Sequence, residues 1–233
     1  MVISRRIFLQ QSVALAATTT SSAATRHVVL LGDSIFDNGA YTGGKPDVLA
    51  QLQRVLPKEW GASLLARDGA TTAGLAAQLA QLPSKATHLA LSIGGNDALQ
   101  RQSVLQTRAG SVAEGISILG DAVSQFEAAY RKAVEACVAH RLPLVVCTIY
   151  NGNFPDAAYR KVVRSAVALF NDVIIRTALD FKLQVIDLRA VCAKPEDYAN
   201  PIEPSSTGAA KIARAITAVV TGSAQGNGAF ISG

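Results

Sequence analysis

Ser34 stands in the run Gly32-Asp33-Ser34, directly after the apolar stretch His27–Leu31. A serine at a strand-to-loop turn beside a glycine presents its hydroxyl at the sheet edge, with backbone amides pointing inward, and that suits a nucleophile for acyl transfer. Such chemistry also needs N–H donors aimed at the developing oxyanion. The N–H of Ser34, the N–H of Gly69 in Arg67-Asp68-Gly69 and the side-chain amide of Asn96 in Gly94-Gly95-Asn96-Asp97 each follow an apolar run. Singly, each is ordinary turn or cap chemistry. Converging from three neighbouring strands, they point to an oxyanion site around one serine.

The elements that must position these groups can be read from hydropathy. Five runs rich in aliphatic and β-branched residues recur: His27–Leu31, Ala62–Ala66, His88–Ile93, Leu142–Ile149 and Leu183–Leu188. Their apolar character is continuous rather than alternating, as in strands buried on both faces. Between them lie segments with apolar residues at helical spacing, such as Val48, Leu49, Leu52 and Val55, or Val162, Val163, Ala166, Leu169, Phe170, Val173 and Ile174. This alternation predicts an α/β fold, a doubly wound three-layer α/β/α sandwich around a five-stranded parallel sheet. Ligands in such folds bind outside the carboxyl ends of the strands, where Ser34, Gly69, Asn96, Tyr150, Asn151 and Asp187 fall. A helix is expected over about 111–140, its start left open by Gly115 and Gly120. A last helix from Thr207 to about Val220 follows the cap signal Pro204-Ser205-Ser206.

Composition narrows the function classes. The chain has 233 residues, 49% hydrophobic and 17% charged, enough apolar material for one core domain over 25–220. Residues 1–24 resemble a twin-arginine export signal: Arg5-Arg6, a modest apolar stretch, then Ser22 and Ala24 placed for cleavage after Ala24. Export to the periplasm or beyond is the expectation, a frayed extension of a cytoplasmic protein the alternative. Removing Arg5 and Arg6 from the 22 Lys+Arg leaves 20 against 17 Asp+Glu, a net of +3. The scattered basic residues predict no nucleic-acid partner. Outside the leader no run of about 18 predominantly apolar residues suggests a membrane span. The Gly/Ser-rich stretch 221–233 is expected to be a disordered tail. Cys137, Cys147 and Cys192 are too few and too irregularly spaced for a disulfide framework or a zinc site and are expected to fill the core. Neither a Gly-x-Gly-x-x-Gly nor a phosphate-loop motif supports a nucleotide-binding alternative.

The blocks Gly32-Asp33-Ser34-Ile35-Phe36-Asp37-Asn38, Gly69 and Gly94-Gly95-Asn96-Asp97 together resemble, in order and spacing, the SGNH (GDSL-type) hydrolases. The likeness runs from about His27 to Val220 and includes Pro204, Ser205 and Gly208. It implies the flavodoxin-like SGNH fold and ester or thioester hydrolysis through an acyl-enzyme on Ser34, with Gly69 and Asn96 as oxyanion donors. No metal or cofactor is implied, and the partner is a small-molecule ester.

One block departs from the family. Where its pattern reads Asp-x-x-His, this chain reads Asn200-Pro201-Ile202-Glu203. The three histidines, His27, His88 and His140, stand at strand starts, the wrong edge of the sheet. Seven residues of strand put His27 roughly 20 Å from Ser34. The expectation is a Ser34–Glu203 dyad in which burial raises the carboxyl pKa and the Asn200 amide positions the carboxylate. The alternative is an inactive ligand-binding protein on the same scaffold. Asp33 and Asp97 are expected to brace their own loops, with Asp37 nearby. Phe36, Tyr41, Tyr150 and Phe154 are expected to rim the pocket, and a small acyl group such as acetate is favoured.

Overall fold

The computed structural model describes residues 25–223 and 230–231, so the leader 1–24 lies outside the described residues. Five strands, β1 (Arg26–Gly32), β2 (Trp60–Leu64), β3 (His88–Ser92), β4 (Leu144–Cys147) and β5 (Gln184–Ile186), pair in parallel in the order β2-β1-β3-β4-β5. This is the predicted sheet, with ends moved by up to two residues. A sixth strand was not foreseen. Within the stretch expected as a disordered tail, β6 (Phe230–Ile231) pairs antiparallel with β5, while residues 224–229 and 232–233 lie outside the described residues.

The helices are α1 (Val48–Val55), α2 (Leu75–Leu79), α3 (Gly95–Gln100), α4 (Val112–Val138), α5 (Ala157–Asp180), α6 (Leu188–Val191) and α7 (Ser206–Val220). Side chains alternate across a strand, so β1 feeds two cores at once. Val28 and Leu30 pack with Leu52, Ile186, Ile212 and Ile216 beneath α1 and α7. Val29 and Leu31 pack with Leu75, Phe126, Val173 and Ile174 beneath α2, α4 and α5. Burial on both faces is why the strand sequences read as unbroken apolar runs. Each long helix starts at a side-chain cap: the Asp47 carboxylate accepts from Ala50 N–H, Ser111 Oγ from Glu114 N–H, Asp156 from Tyr159 N–H, and Ser205 Oγ from Thr207 and Gly208 N–H. The cap at Ser111 settles the start of α4, with both glycines inside the helix.

The strand order reverses between β1 and β3, the switch point where crossovers leave to opposite faces and a crevice opens. The loops after those two strands carry Ser34 and Asn96. Their close approach depends on Gly32: at φ +125°, a Cβ there would sit 1.8 Å from the Ser92 carbonyl oxygen.

Candidate active site

Beyond Gly32 the chain turns tightly around Asp33. Its carbonyl accepts the N–H groups of Phe36 and Asp37, and its carboxyl accepts Ile35 N–H. Asp33 thus braces its own loop, as expected. Burial, with Glu203 and Asp97 nearby, raises its pKa to about 8 despite the bond from Ile35. Gln78, on the apolar face of α2, clamps the same turn by accepting Gly32 N–H at 2.8 Å and donating to Gly32 C=O at 2.7 Å.

At the tip of this turn Ser34 Oγ donates to Glu203 Oε1 at 3.0 Å, joining residues 169 positions apart in a buried contact. Glu203 Oε2 is buried with no hydrogen-bond partner among the described residues. Burial is the main reason the Glu203 carboxyl is raised to about 7; the Ser34 hydroxyl pulls it down and the Asp68 carboxylate pushes it up.

The loop carrying Glu203 is held from several sides. Tyr198 and Pro204 form an antiparallel bridge, inside which Ala199 N–H donates to Glu203 C=O. Asn200 Oδ1 accepts the N–H groups of both Ile202 and Glu203 at 2.9 Å. The Asn200 side chain, expected to help position the carboxylate, is exposed and fixes the backbone of the turn that carries Glu203. Tyr150, expected as a substrate contact, lines the cavity with its ring while its hydroxyl donates to Ile202 C=O at 2.5 Å. Asn38 is fully buried; it donates to Pro204 C=O and accepts Val48 N–H, each at 3.0 Å, fastening the Ser34 loop to the Glu203 loop. Behind this loop, Gly208 lets the start of α7 press on the Asp197 carbonyl, where a Cβ would lie at 2.2 Å.

Ser34, Asn96, Asp33, Tyr150 and Glu203 line one cavity, with about 110 Å³ of space accessible to water-sized molecules. Asn96 donates one amide hydrogen to Ala70 C=O at 2.9 Å. An amide nitrogen has two hydrogens, so the second is available to a ligand. Gly69, at φ +75°, precedes Ala70 on an exposed loop beside Asn96 and is not part of the cavity lining. Neither Ser34 N–H nor Gly69 N–H donates to an acceptor among the described residues. Asp97 departs from expectation. Rather than bracing its own loop, its carboxylate accepts Thr72 N–H at 3.0 Å and Thr72 Oγ1–H at 2.6 Å, tying the loop after β3 to the loop after β2. Asp37 accepts Asp68 N–H in the same border.

The predicted aromatic rim is half right. Phe154 and Tyr150 line the cavity. Phe36 instead points into the core beneath α1 and α7, fully buried, and Tyr41 lies outside the cavity, donating to Asp68 Oδ2. The cavity is also deeper and more apolar than an acetate pocket needs. Leu99, Leu105, Leu119, Val163, Val167 and Phe170 extend it between α3, α4 and α5.

His27 and His88 are tied to Ser63 and Thr87 at the strand starts, and neither they nor His140 lines the cavity. The cysteines are buried and unpaired, and burial raises the thiol pKa of Cys137 and Cys192 to about 12. Among the described residues no group of three or more His, Cys, Asp or Glu is arranged to hold a metal ion, and no helix is long and apolar enough to cross a membrane.

Sequence reasoning missed Asn38, Gln78 and Asn171. The last of these brackets the entry to Tyr150 by accepting Ile149 N–H and donating to Ile149 C=O. The one signal was an amide placed among apolar neighbours, Gln78 between Leu75 and Leu79 and Asn171 between Phe170 and Val173.

A serine, amide donors and a carboxyl group gathered at the switch point of a doubly wound parallel sheet have the layout of an ester-hydrolase site. The family model for the GDSL-like lipase/acylhydrolase family matches residues 30–211, and the chain belongs to that family. Its fold is similar to an extracellular lipase from Streptomyces rimosus, at TM-score 0.63 and 17% identity over 85% of this chain and 100% of that one. It is likewise similar to phospholipase A1 from Streptomyces albidoflavus, at TM-score 0.63 and 19% identity over 86% and 100%. A lipase/acylhydrolase from Enterococcus faecalis matches at TM-score 0.58 and 18% identity over 85% and 96%. No curated protein matches the chain by sequence.

Proposed function

We propose that the protein hydrolyses carboxylic esters through an acyl-enzyme on Ser34, with Glu203 as the general base. The observation that carries this reading is the buried 3.0 Å hydrogen bond from Ser34 Oγ to Glu203 Oε1 in the wall of the cavity. In the ionised state Glu203 takes the Ser34 proton as Oγ adds to the ester carbonyl. The Ser34 N–H and the free amide hydrogen of Asn96, both in the cavity wall, receive the oxyanion, and the unbonded N–H of Gly69 on the adjoining loop is the third donor. Protonated Glu203 then delivers its proton to the leaving alkoxide, and the same carboxylate activates the water that releases the acid. A carboxyl pKa near 7 suits both duties at neutral pH.

The acyl group is longer than the acetate first favoured, since the wall beyond Ser34 is aliphatic as far as Phe170. Turnover of para-nitrophenyl esters is expected to rise from acetate to butyrate and octanoate. The inactive binding protein remains the competing reading, because the imidazole of the family's pattern is missing. Incubation with a serine-directed fluorophosphonate and mass spectrometry of the peptide bearing Ser34 separates the two: an adduct lost in Ser34→Ala supports the hydrolase, and no adduct between pH 6 and 9 would overturn it. Export through residues 1–24 is part of this proposal, tested by the N-terminal mass of secreted protein.

A further inference from the structure

Among the described residues, six of the seven exposed large hydrophobic side chains lie on α4 and α5, four of them in the first two turns of those helices. Val112 is 81% and Ile116 62% exposed, and Tyr159 and Val162 are exposed beside them. The two helices run parallel in a fixed register, because Arg131–Asp180 and Arg176–Glu127 both join residues 49 positions apart. That register puts Val112 level with Lys161 and Ile116 level with Ser165, so the exposed residues form one patch. It continues the cavity wall. Ile116 and Val112 precede the lining residue Leu119 by three and seven positions, one stripe of an α-helix, and Tyr159 itself lines the mouth.

The border of the patch is basic. Arg160, Lys161 and Arg164 lie in the first turns of α5, Arg108 lies just before α4 and Arg101 lines the cavity, while the acidic Glu114 and Asp156 are taken up at the starts of α4 and α5. None of the five cations is in an ion pair with a described residue. An apolar face ringed by unpaired cations matches the interface of an anionic bilayer, where acyl chains meet phosphate. A second copy fits it poorly, since a two-fold contact would set the cations against themselves.

We propose that the N-terminal turns of α4 and α5 form a docking surface for anionic phospholipid membranes, which holds the cavity mouth against a source of amphipathic esters. Binding stands on the surface alone, and only its link to catalysis rests on the ester-hydrolase reading. The test uses full-length Ser34→Ala protein, to prevent lipolysis, sedimented with vesicles of equal parts phosphatidylglycerol and phosphatidylcholine or of phosphatidylcholine alone. Binding is expected to the anionic vesicles only, and to weaken with salt. Lys161→Gln with Arg164→Gln should lower the partition coefficient about 25-fold, at about fivefold per cation. Val112→Ser with Ile116→Ser should lower it too. With Ser34 present, both double variants should hydrolyse soluble para-nitrophenyl butyrate at the wild-type rate, which also shows that they fold. Equal binding by the variants, no binding to anionic vesicles, or a dimer in sedimentation velocity that the variants dissociate would overturn the proposal. Vesicle binding without turnover of the soluble ester supports the surface and sinks the catalytic reading alone.

Discussion

Glu203→Gln separates basicity from geometry at the proposed dyad. The side chains are nearly isosteric, and the Gln carbonyl oxygen still accepts the Ser34 hydroxyl across the 3.0 Å contact, but it cannot take the proton. A positioned general base contributes roughly a hundredfold to ten-thousandfold, or about 3 to 5 kcal/mol of barrier, so turnover of para-nitrophenyl butyrate should fall by that factor. The same substitution has a thermodynamic signature. Burial raises the folded carboxyl from 4.5 to about 7, so the unfolded chain ionises first as pH rises. The wild type therefore loses stability between those values, by about 3 kcal/mol for this one group, and an amide does not. Chemical denaturation at pH 4.5 and pH 8 should show the variant gaining about 3 kcal/mol relative to wild type at the higher pH, whatever the constant offset. For wild type, log kcat/KM should climb with unit slope to a bend near pH 7 and stay level above it. A variant rate within tenfold of wild type refutes the reasoning, and moves the base to the carboxylates of Asp33, Asp37 or Asp97.

Asn38→Ala strands the buried Val48 N–H and Pro204 C=O, at about 1–3 kcal/mol each, and frees the Glu203 loop; a midpoint shift in urea together with a lower kcat should be measured. Gly32→Ala would drive a Cβ into the Ser92 carbonyl at a left-handed φ, and its thermal melt by circular dichroism should show a loss above about 4 kcal/mol or no folded protein. Asp33, raised from 3.8 to about 8 chiefly by burial, holds its full stability below pH 3.8 and loses it as pH rises through 8. Asp33→Asn keeps the acceptor for Ile35 N–H and should flatten that part of the stability–pH curve; an unchanged slope would place the ionisation elsewhere.

The sheet was legible because burying a strand on both faces leaves a local mark: a short unbroken apolar run needs no knowledge of its neighbours. Ser34 and Asn96 were legible for a related reason, since a polar residue directly after such a run must emerge at the carboxyl edge. Glu203 came only from the likeness to a family pattern. Nothing in Asn200-Pro201-Ile202-Glu203 indicates that it folds back on a serine 169 positions away. The misjudged residues fail where a side chain's direction depends on a distant partner. Phe36 lies two positions after Ser34, yet the turn around Asp33 sends one side chain to the cavity and the other to the core beneath α7. Asn38, four positions after Ser34, has the composition of a turn former but is buried because Pro204 and Val48 complete its hydrogen bonds.

The cavity shows the same limit on a larger scale. Helical spacing identified Val163, Ala166 and Phe170 as an inward stripe, and an inward stripe normally means close packing. Here the space between α4 and α5 is left open toward the carboxyl edge, with Leu119 and Val163 facing into it rather than meeting. That opening depends on the register of the two helices, which Arg131–Asp180 and Arg176–Glu127 mark near their far ends. Exposed ion pairs of this kind are individually worth little, about 0–1 kcal/mol. The register must therefore come mainly from buried packing between the helices, such as Phe126 of α4 against Phe170 of α5. A chain that reads as an unremarkable amphipathic helix pair thereby builds an apolar chamber beside Ser34, and the residues that hold it open lie well away from those that would do the chemistry.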